Sequence, residues 1–243
     1  MTERHDGRAP SDLREISFEP DCLDFATGSC EVRFGRTRVL CAASVDERVP
    51  GWLAGKGRGW VTAEYSMLPA ATPSRSKRES EVGKIKGRTH EIQRLIGRSL
   101  RACVDMERLG EIQIRVDCDV LQADGGTRTA SITGGYVALG LAIQRLTHEG
   151  RLSPDASPLI RSVAAVSAGL VDGRAILDLD YIEDSGADVD MNMVFTGEAG
   201  LVEIQGTAEG APFRSEDLAS LLDLGRQGAA ILTARQRKVL GAR

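Results

Sequence analysis

Four consecutive residues, Gly125-Gly126-Thr127-Arg128, combine backbone freedom, a hydroxyl and a permanent positive charge. Just upstream, Ile112, Ile114, Val116, Cys118 and Val120 alternate with polar residues, the period of a strand with one buried face. Just downstream, Ala130, Val137, Leu139, Ala142, Ile143 and Leu146 lie in an alanine-rich run suited to a helix. A strand, a tight glycine turn and a helix start gather free N–H groups in one concavity. The positive end of the helix dipole points into the same place. Thr127 adds a hydroxyl, and Arg128 adds a planar fork suited to phosphate oxygens. The stretch reads as an anion site for a phosphate. It is neither a Walker A loop nor a GxGxxG turn. An ordinary strand-to-helix turn with a solvated arginine is the competing reading.

A second group is acidic. Asp178, Asp180, Glu183, Asp184, Asp188 and Asp190 fall within thirteen residues that hold no base. Their spacing fails the EF-hand pattern, because Ile182 takes a ligand position from either possible start. Mg²⁺ prefers one or two carboxylates plus water and substrate phosphate oxygens. Asp184 and Asp190, at either end of a glycine-containing turn, suit that role; a charged hairpin end without an ion is the alternative. A third group is basic: nine Lys/Arg against three Glu between Pro73 and Arg101. Within it, Arg88 stands at the start of a helix, where a cation is disfavoured unless an anion is present. Arg88 is therefore a candidate second phosphate ligand. Arg94, Arg98 and Arg101 lie on another face of that helix, and two of the three read as solvated. Basic and acidic zones in one chain suggest metal-assisted chemistry on phosphodiesters.

The rest of the chain must position these groups. Its 243 residues suit one large domain with a full core. No apolar run is long enough to span a bilayer, and the first fifteen residues are polar, with no apolar signal-peptide core. Five cysteines without CxxC pairing suggest reduced thiols in a cytoplasm, and three scattered histidines argue against a histidine triad or zinc hydrolase. Residues 1–12 read as a mobile arm or extended lead-in. Strands are expected at 13–19, 23–26, 29–34, 37–45 and 60–67, with turns at Thr27-Gly28 and Gly35-Arg36. A long basic loop, 68–87, precedes a helix capped by Thr89. After the central strand and helix come strands at 162–171 and 174–181, joined by Asp172-Gly173. A hairpin of 193–196 and 201–207 across 197–200 follows. Ser215 caps a helix through Leu224, and a final helix runs from Gln227 to Leu240. This order indicates an α+β fold with mixed sheets packed with helices, and a single domain over 1–243.

Six runs carry a resemblance. They are VLCAASV (39–45), GWVTAEYSMLP (59–69), GRTHEIQRLIGRSLRA (87–102), DCDVLQADGGTRTASITG (117–134), DLDYIEDSGADVDMN (178–192) and EIQGTAEGAPF (203–213). In this collinear order the chain resembles the bacterial ribonuclease PH family. The resemblance implies a ribosomal protein S5 domain 2-like fold and a phosphorolytic 3′→5′ exoribonuclease, or tRNA nucleotidyltransferase. Such enzymes trim 3′ trailers of tRNA precursors, and the same activity extends to other RNA 3′ ends, rRNA included. Inorganic phosphate is the attacking co-substrate, nucleoside 5′-diphosphates are released, and the assembly is a hexamer, a trimer of dimers. Carried over by position, the phosphate ligands are Arg88, Gly126, Thr127 and Arg128. The paired aspartates are Asp184 and Asp190, which with Arg128 form the catalytic set and would hold Mg²⁺ or Mn²⁺. Arg75 and Arg78, and more weakly Arg58, would serve ring or RNA contacts. One departure stands out: Ala70 follows Met67-Leu68-Pro69 where the family usually has an arginine.

The mechanism this implies places phosphate in the Gly126–Arg128 cradle, closed by Arg88, and lets it attack the last phosphodiester in line. Arg88 and Arg128 disperse charge on the phosphoryl oxygens. Asp184 and Asp190 would hold Mg²⁺ to stabilise the departing 3′-oxygen, or Asp184 would give that oxygen a proton. Aromatic content of 4% argues against a long stacking platform, so RNA binding should rest on phosphate contacts. The alternatives are a non-catalytic RNA-binding ring subunit of an exosome-like assembly and a hydrolytic metal-dependent nuclease.

Overall fold

A computed structural model describes residues 4–197 and 200–241. Residues 1–3 of the expected arm, and 198–199 of the expected turn at 197–200, lie outside the described residues. In chain order the elements are β1 (Ile16–Pro20), β2 (Gly28–Phe34), β3 (Thr37–Asp46), β4 (Trp60–Met67), α1 (Glu79–Val82), α2 (Gly87–Arg101), α3 (Met106–Leu109) and β5 (Gln113–Gln122). Then follow α4 (Thr127–His148), β6 (Val163–Val171), β7 (Arg174–Leu177), α5 (Tyr181–Ser185), β8 (Val189–Thr196), β9 (Leu201–Ala208) and α6 (Ser215–Val239).

Two sheets result. The first has the order β1-β2-β3-β5-β4 and is mixed, because β4 runs parallel to β5 while the other pairs are antiparallel. The second, β7-β6-β8-β9, is antiparallel throughout. The α+β reading with mixed sheets therefore holds.

Helix α4 lies between the sheets, packed on β2 and β3 on one side and β6 on the other. That explains its residues. A helix buried nearly all round cannot be amphipathic, and here the close approach is made by residues without bulk. A Cβ on Gly134 would lie 2.4 Å from Val32, and one on Gly28 would lie 2.4 Å from the carbonyl oxygen of Ala138. Thr133 stitches the helix to β6, donating to the Ala165 carbonyl at 3.1 Å and accepting from its amide at 3.0 Å. One apolar cluster runs from Val32 and Cys41 through Ala138 to Val166 and Met193. Helix α2 covers β4, and α6 covers the second sheet. No helix among the described residues is long and apolar enough to cross a membrane.

Several expectations need correction. Residues 23–26 form no strand: the chain turns there, with the Asp21 amide on the Ser29 carbonyl and Phe25 fully exposed. Gly28 belongs to β2 rather than to a turn. Thr89 does not cap α2. The helix begins at Gly87, and the Thr89 hydroxyl instead donates to Glu79 at 2.6 Å. Strand β7 stops at Leu177, because Asp178 turns its backbone to φ +53° and buries its carboxylate. The 183–190 segment is not one turn but the end of α5, a short link and the start of β8. The two C-terminal helices are one. Ser215 is its first residue, and the Asp217 carboxylate accepts from the backbone of Arg214, one residue earlier. Gly225 does not break the helix: a Cβ there would lie 2.5 Å from Met193, so glycine lets α6 approach the sheet.

Candidate active site

Strand β5 runs straight into the glycine turn, and the turn into α4. Gly125 and Gly126 have φ of +75° and +67°, a backbone region that L side chains avoid. A Cβ on Gly125 would also strike the backbone of Leu179 and Asp180 at 2.7 Å, so the turn is pressed against the start of α5. Among the described residues no protein acceptor meets the amides of Gly125 and Gly126. They line a cleft of about 1000 Å³.

The cleft brings together every residue expected to bind phosphate and both expected carboxylates. Arg88, Gly126, Thr127, Arg128, Asp184 and Asp190 all line it. Arg88 stands in the first turn of α2, exposed, and no hydrogen bond or ion pair from the described residues meets its guanidinium. Arg128 is held sideways: Nη1 donates to Gln205 Oε1 at 2.6 Å and lies 3.4 Å from Glu91. The hydroxyls of Thr127 and Tyr65 are 2.9 Å apart, which fixes Thr127 at the cradle's edge.

Of the six acids Asp188 is exposed, and the other five divide into two sets. Asp178, Asp180 and Glu183 are buried and taken up by structure. Asp180 caps α5, accepting from the Glu183 amide at 3.0 Å while the Glu183 carboxylate accepts from the Asp180 amide. Glu183 pairs with Arg4, and Asp178 with Arg14. His5, Asp180 and Glu183 come close enough to resemble a metal cluster, but Arg4, Arg8 and the helix cap occupy the two acids. Asp184, on α5, and Asp190, on β8, face the cleft instead. Burial raises Asp184 against the pull of Arg88 and Arg128. Burial, reinforced by the charge of Asp184, pushes Asp190 up to about 6, while Arg128, Asn192 and Arg88 draw it down. A divalent cation would relieve that strain. Among the described residues no further His, Cys, Asp or Glu groups with these two carboxylates, which suits an ion that takes water and phosphate oxygens. The residues present therefore fit Mg²⁺ or Mn²⁺.

The remaining basic residues scatter. Arg78 lies beside the cleft, in a groove it shares with Lys77, Lys86 and Arg88. Arg75 is exposed and lies 3.7 Å from Glu81. Arg58 sits at the far end of β5, next to Gly59, whose amide bonds the Met106 carbonyl. Of the three helix arginines, Arg94 is solvated, Arg98 pairs with Glu203, and Arg101 stacks on Trp60 at 4.5 Å. Ala70 lines the cleft, so the departure from the family pattern falls at the site.

Four residues around the cleft were not anticipated. Arg36 lines it from the β2–β3 turn. Asn192 donates to Asp190 at 3.2 Å. It follows Asp190 by two on a strand, so the period of two could have found it. Gln205 and Arg14 act through long-range contacts that carry no local signal.

The family model described as "3′ exoribonuclease family, domain 1" matches residues 12–143, and "domain 2" of the same family matches residues 162–228. A ribonuclease PH of Saccharopolyspora erythraea is 57% identical over 239 residues, covering 98% of this chain and 95% of that protein. A ribonuclease PH of Neisseria meningitidis is 56% identical over 235 residues, covering 97% and 96%. Among solved structures, a chain of the Archaeoglobus fulgidus exosome with RNA bound to the active site superposes with a TM-score of 0.77. It is 21% identical, covering 96% of this chain and 92% of that one, a likeness of fold.

Proposed function

The chain belongs to the 3′ exoribonuclease family, and we propose that it is a phosphate-dependent enzyme trimming the 3′ ends of tRNA precursors. It releases nucleoside 5′-diphosphates, and the reaction runs in reverse as nucleotidyl transfer. The observation that carries this reading is the single cleft. A glycine turn whose amides meet no acceptor among the described residues, together with two arginines, faces two carboxylates raised by burial. A hydrolytic nuclease has no need of such a phosphate cradle.

In the mechanism, phosphate binds against Gly126, Thr127 and Arg128, with Arg88 on the other side. It attacks the last phosphodiester in line, and no covalent enzyme intermediate forms. Arg88 and Arg128 hold the charge that builds on the phosphoryl oxygens, preorganised before the reaction begins. Asp184 and Asp190 would hold Mg²⁺ or Mn²⁺, which when bound neutralises charge on the departing 3′-oxygen. The same carboxylates offer a second route: burial raises both, Asp190 to about 6, which favours holding a proton for that oxygen. Asn192 orients Asp190 for either role.

The whole chain acts as one catalytic unit, since the cleft takes Arg128 from α4 and Asp190 from β8. Assembly as a hexamer, a trimer of dimers, belongs to the proposal. Leu201 and Ile204 exposed on edge strand β9 support assembly. A cytoplasmic setting fits the five free cysteines.

The test is product analysis on a tRNA bearing a short 3′ trailer, with Mg²⁺, with and without inorganic phosphate. Diphosphates that form only with phosphate are expected. Monophosphates formed without phosphate would make the protein a hydrolase. RNA binding without cleavage would make it a structural subunit.

A further inference from the structure

The glycine turn is tied from behind, on the side away from the cleft. Arg14, just before β1, is buried and uses its whole guanidinium. Nη2 and Nε bond the two carboxylate oxygens of Asp178 at 2.7 and 3.0 Å, and the Arg14 amide adds a third bond at 2.8 Å. Nη1 turns the other way and donates to the Asp124 carbonyl at 2.5 Å. Thr37, fully buried at the start of β3, completes the tether. Its hydroxyl donates to the Gly125 carbonyl at 2.7 Å and accepts from the Asp124 amide at 2.9 Å.

A trans peptide is planar, so each carbonyl points opposite to the N–H of the next residue. Drawing the Asp124 and Gly125 carbonyls inward aims the amides of Gly125 and Gly126 outward. Neither Arg14 nor Thr37 lines the cleft, whereas both glycines do. The other end of the tether reaches the opposite wall. Asp178 sits three residues before α5, held at φ +53°, and α5 carries Asp184. Arg4 and Arg8 fasten the same segment, Arg4 through both oxygens of Glu183 and Arg8 through the Asp178 carbonyl.

We propose that Arg14 and Thr37 are positioning residues: they aim the turn amides at phosphate, and the Arg14–Asp178 pair sets the turn against α5. The inference rests on the phosphate site proposed above. Two substitutions isolate it. Arg14→Lys keeps a charge beside Asp178, but one ammonium cannot hold the carboxylate and the carbonyl as the planar fork does. Thr37→Val keeps shape and uncovers no buried charge.

Phosphorolysis is measured across a phosphate series at saturating RNA, with thermal unfolding and phosphate-free RNA binding alongside. The expected result is a KM for phosphate raised roughly 10- to 100-fold in both variants, the scale on which groups supporting a ligand act. RNA affinity should stay unchanged, and Thr37→Ser, which keeps the hydroxyl, should restore the wild-type KM. A merely structural role would lower the melting temperature and the active fraction while leaving KM for phosphate alone. An unchanged KM in folded variants overturns the inference; if Arg14→Lys does not fold, Thr37→Val decides. Wild-type activity independent of phosphate would overturn the underlying reading as well.

Discussion

Arg128 and Gln205 meet through a 2.6 Å hydrogen bond from the guanidinium to the amide oxygen, across 77 residues of sequence. Gln205 is itself fixed, donating to Glu91 and Glu203 at 3.0 Å each, and Glu203 pairs with Arg98. The arginine that faces the cleft is thus braced from β9 and α2 together. Arg128→Ala should lower kcat at least ~100-fold, the scale for losing one preorganised donor. Gln205→Ala should keep the charge but loosen its aim, and is expected to lower kcat about tenfold. Single-turnover phosphorolysis of both variants checks the order. A Gln205→Ala enzyme as fast as wild type would leave Arg128 needing no brace.

Asp190 gives a pH signature with a definite sign. Its carboxyl sits at about 6, above the ordinary 3.8, chiefly through burial. A raised acid holds its proton more tightly folded than unfolded. Its contribution is therefore fully present below about pH 4 and is lost as pH climbs through about 6. In metal-free buffer, Asp190→Asn should be the more stable protein at about pH 8, with the advantage shrinking as pH falls toward about 4. Added Mg²⁺ should raise the wild-type melting temperature at about pH 8 and leave Asp190→Asn unmoved. Melts in chelator that run parallel across this range would contradict the burial argument.

How much of this was legible in the sequence depends on the range of each contact. The glycine turn could be read because strand, glycines and helix start are adjacent in the chain. Asp184 and Asp190 could be singled out because they lie six positions apart on either side of Gly186. What could not be read was which acids of the cluster the fold would consume. Asp178 and Glu183 are claimed by Arg14 and Arg4, across 164 and 179 residues. The C-terminal helix misled for a related reason. Gly225 is a breaker by local propensity, yet Met193 and Phe195, on a distant strand, make it a packing requirement.

The groove beside the cleft predicts how RNA is held. Lys77, Arg78, Lys86 and Arg88 line it, together with Glu64, Glu79, Asp117 and Asp119. Contacts of this kind neutralise backbone phosphates and release counterions, so affinity should fall steeply with salt. For single strands each contact contributes about 0.7 to the log–log slope. The double variant Lys77→Ala, Arg78→Ala should therefore flatten the slope by about 1.4 while the KM for phosphate stays at its wild-type value. Binding isotherms over a salt series measure this. An unchanged slope with altered sedimentation would assign the groove to assembly.

Gly125 and Gly126 allow the cradle's backbone to be tested without touching a charge. Both hold positive φ, at +75° and +67°, so alanine at either carries a similar left-handed penalty of about 1–2 kcal/mol. Their surroundings differ. A methyl at 126 would meet two side-chain atoms, Arg14 Nη2 at 3.0 Å and Thr129 Oγ1 at 3.1 Å, contacts that a shift of a few tenths of an ångström relieves. A methyl at 125 would meet backbone, the Leu179 oxygen and the Asp180 carbonyl carbon, both at 2.7 Å, which cannot yield without shifting the start of α5. Gly125→Ala should therefore be the less stable variant and should disturb Asp184 along with the cradle, lowering kcat as well as raising the KM for phosphate. Gly126→Ala should chiefly raise that KM. Denaturant unfolding together with phosphate-dependent kinetics separates the two. Equal stability losses with identical kinetic defects would mean that the turn is not pressed against α5 in solution.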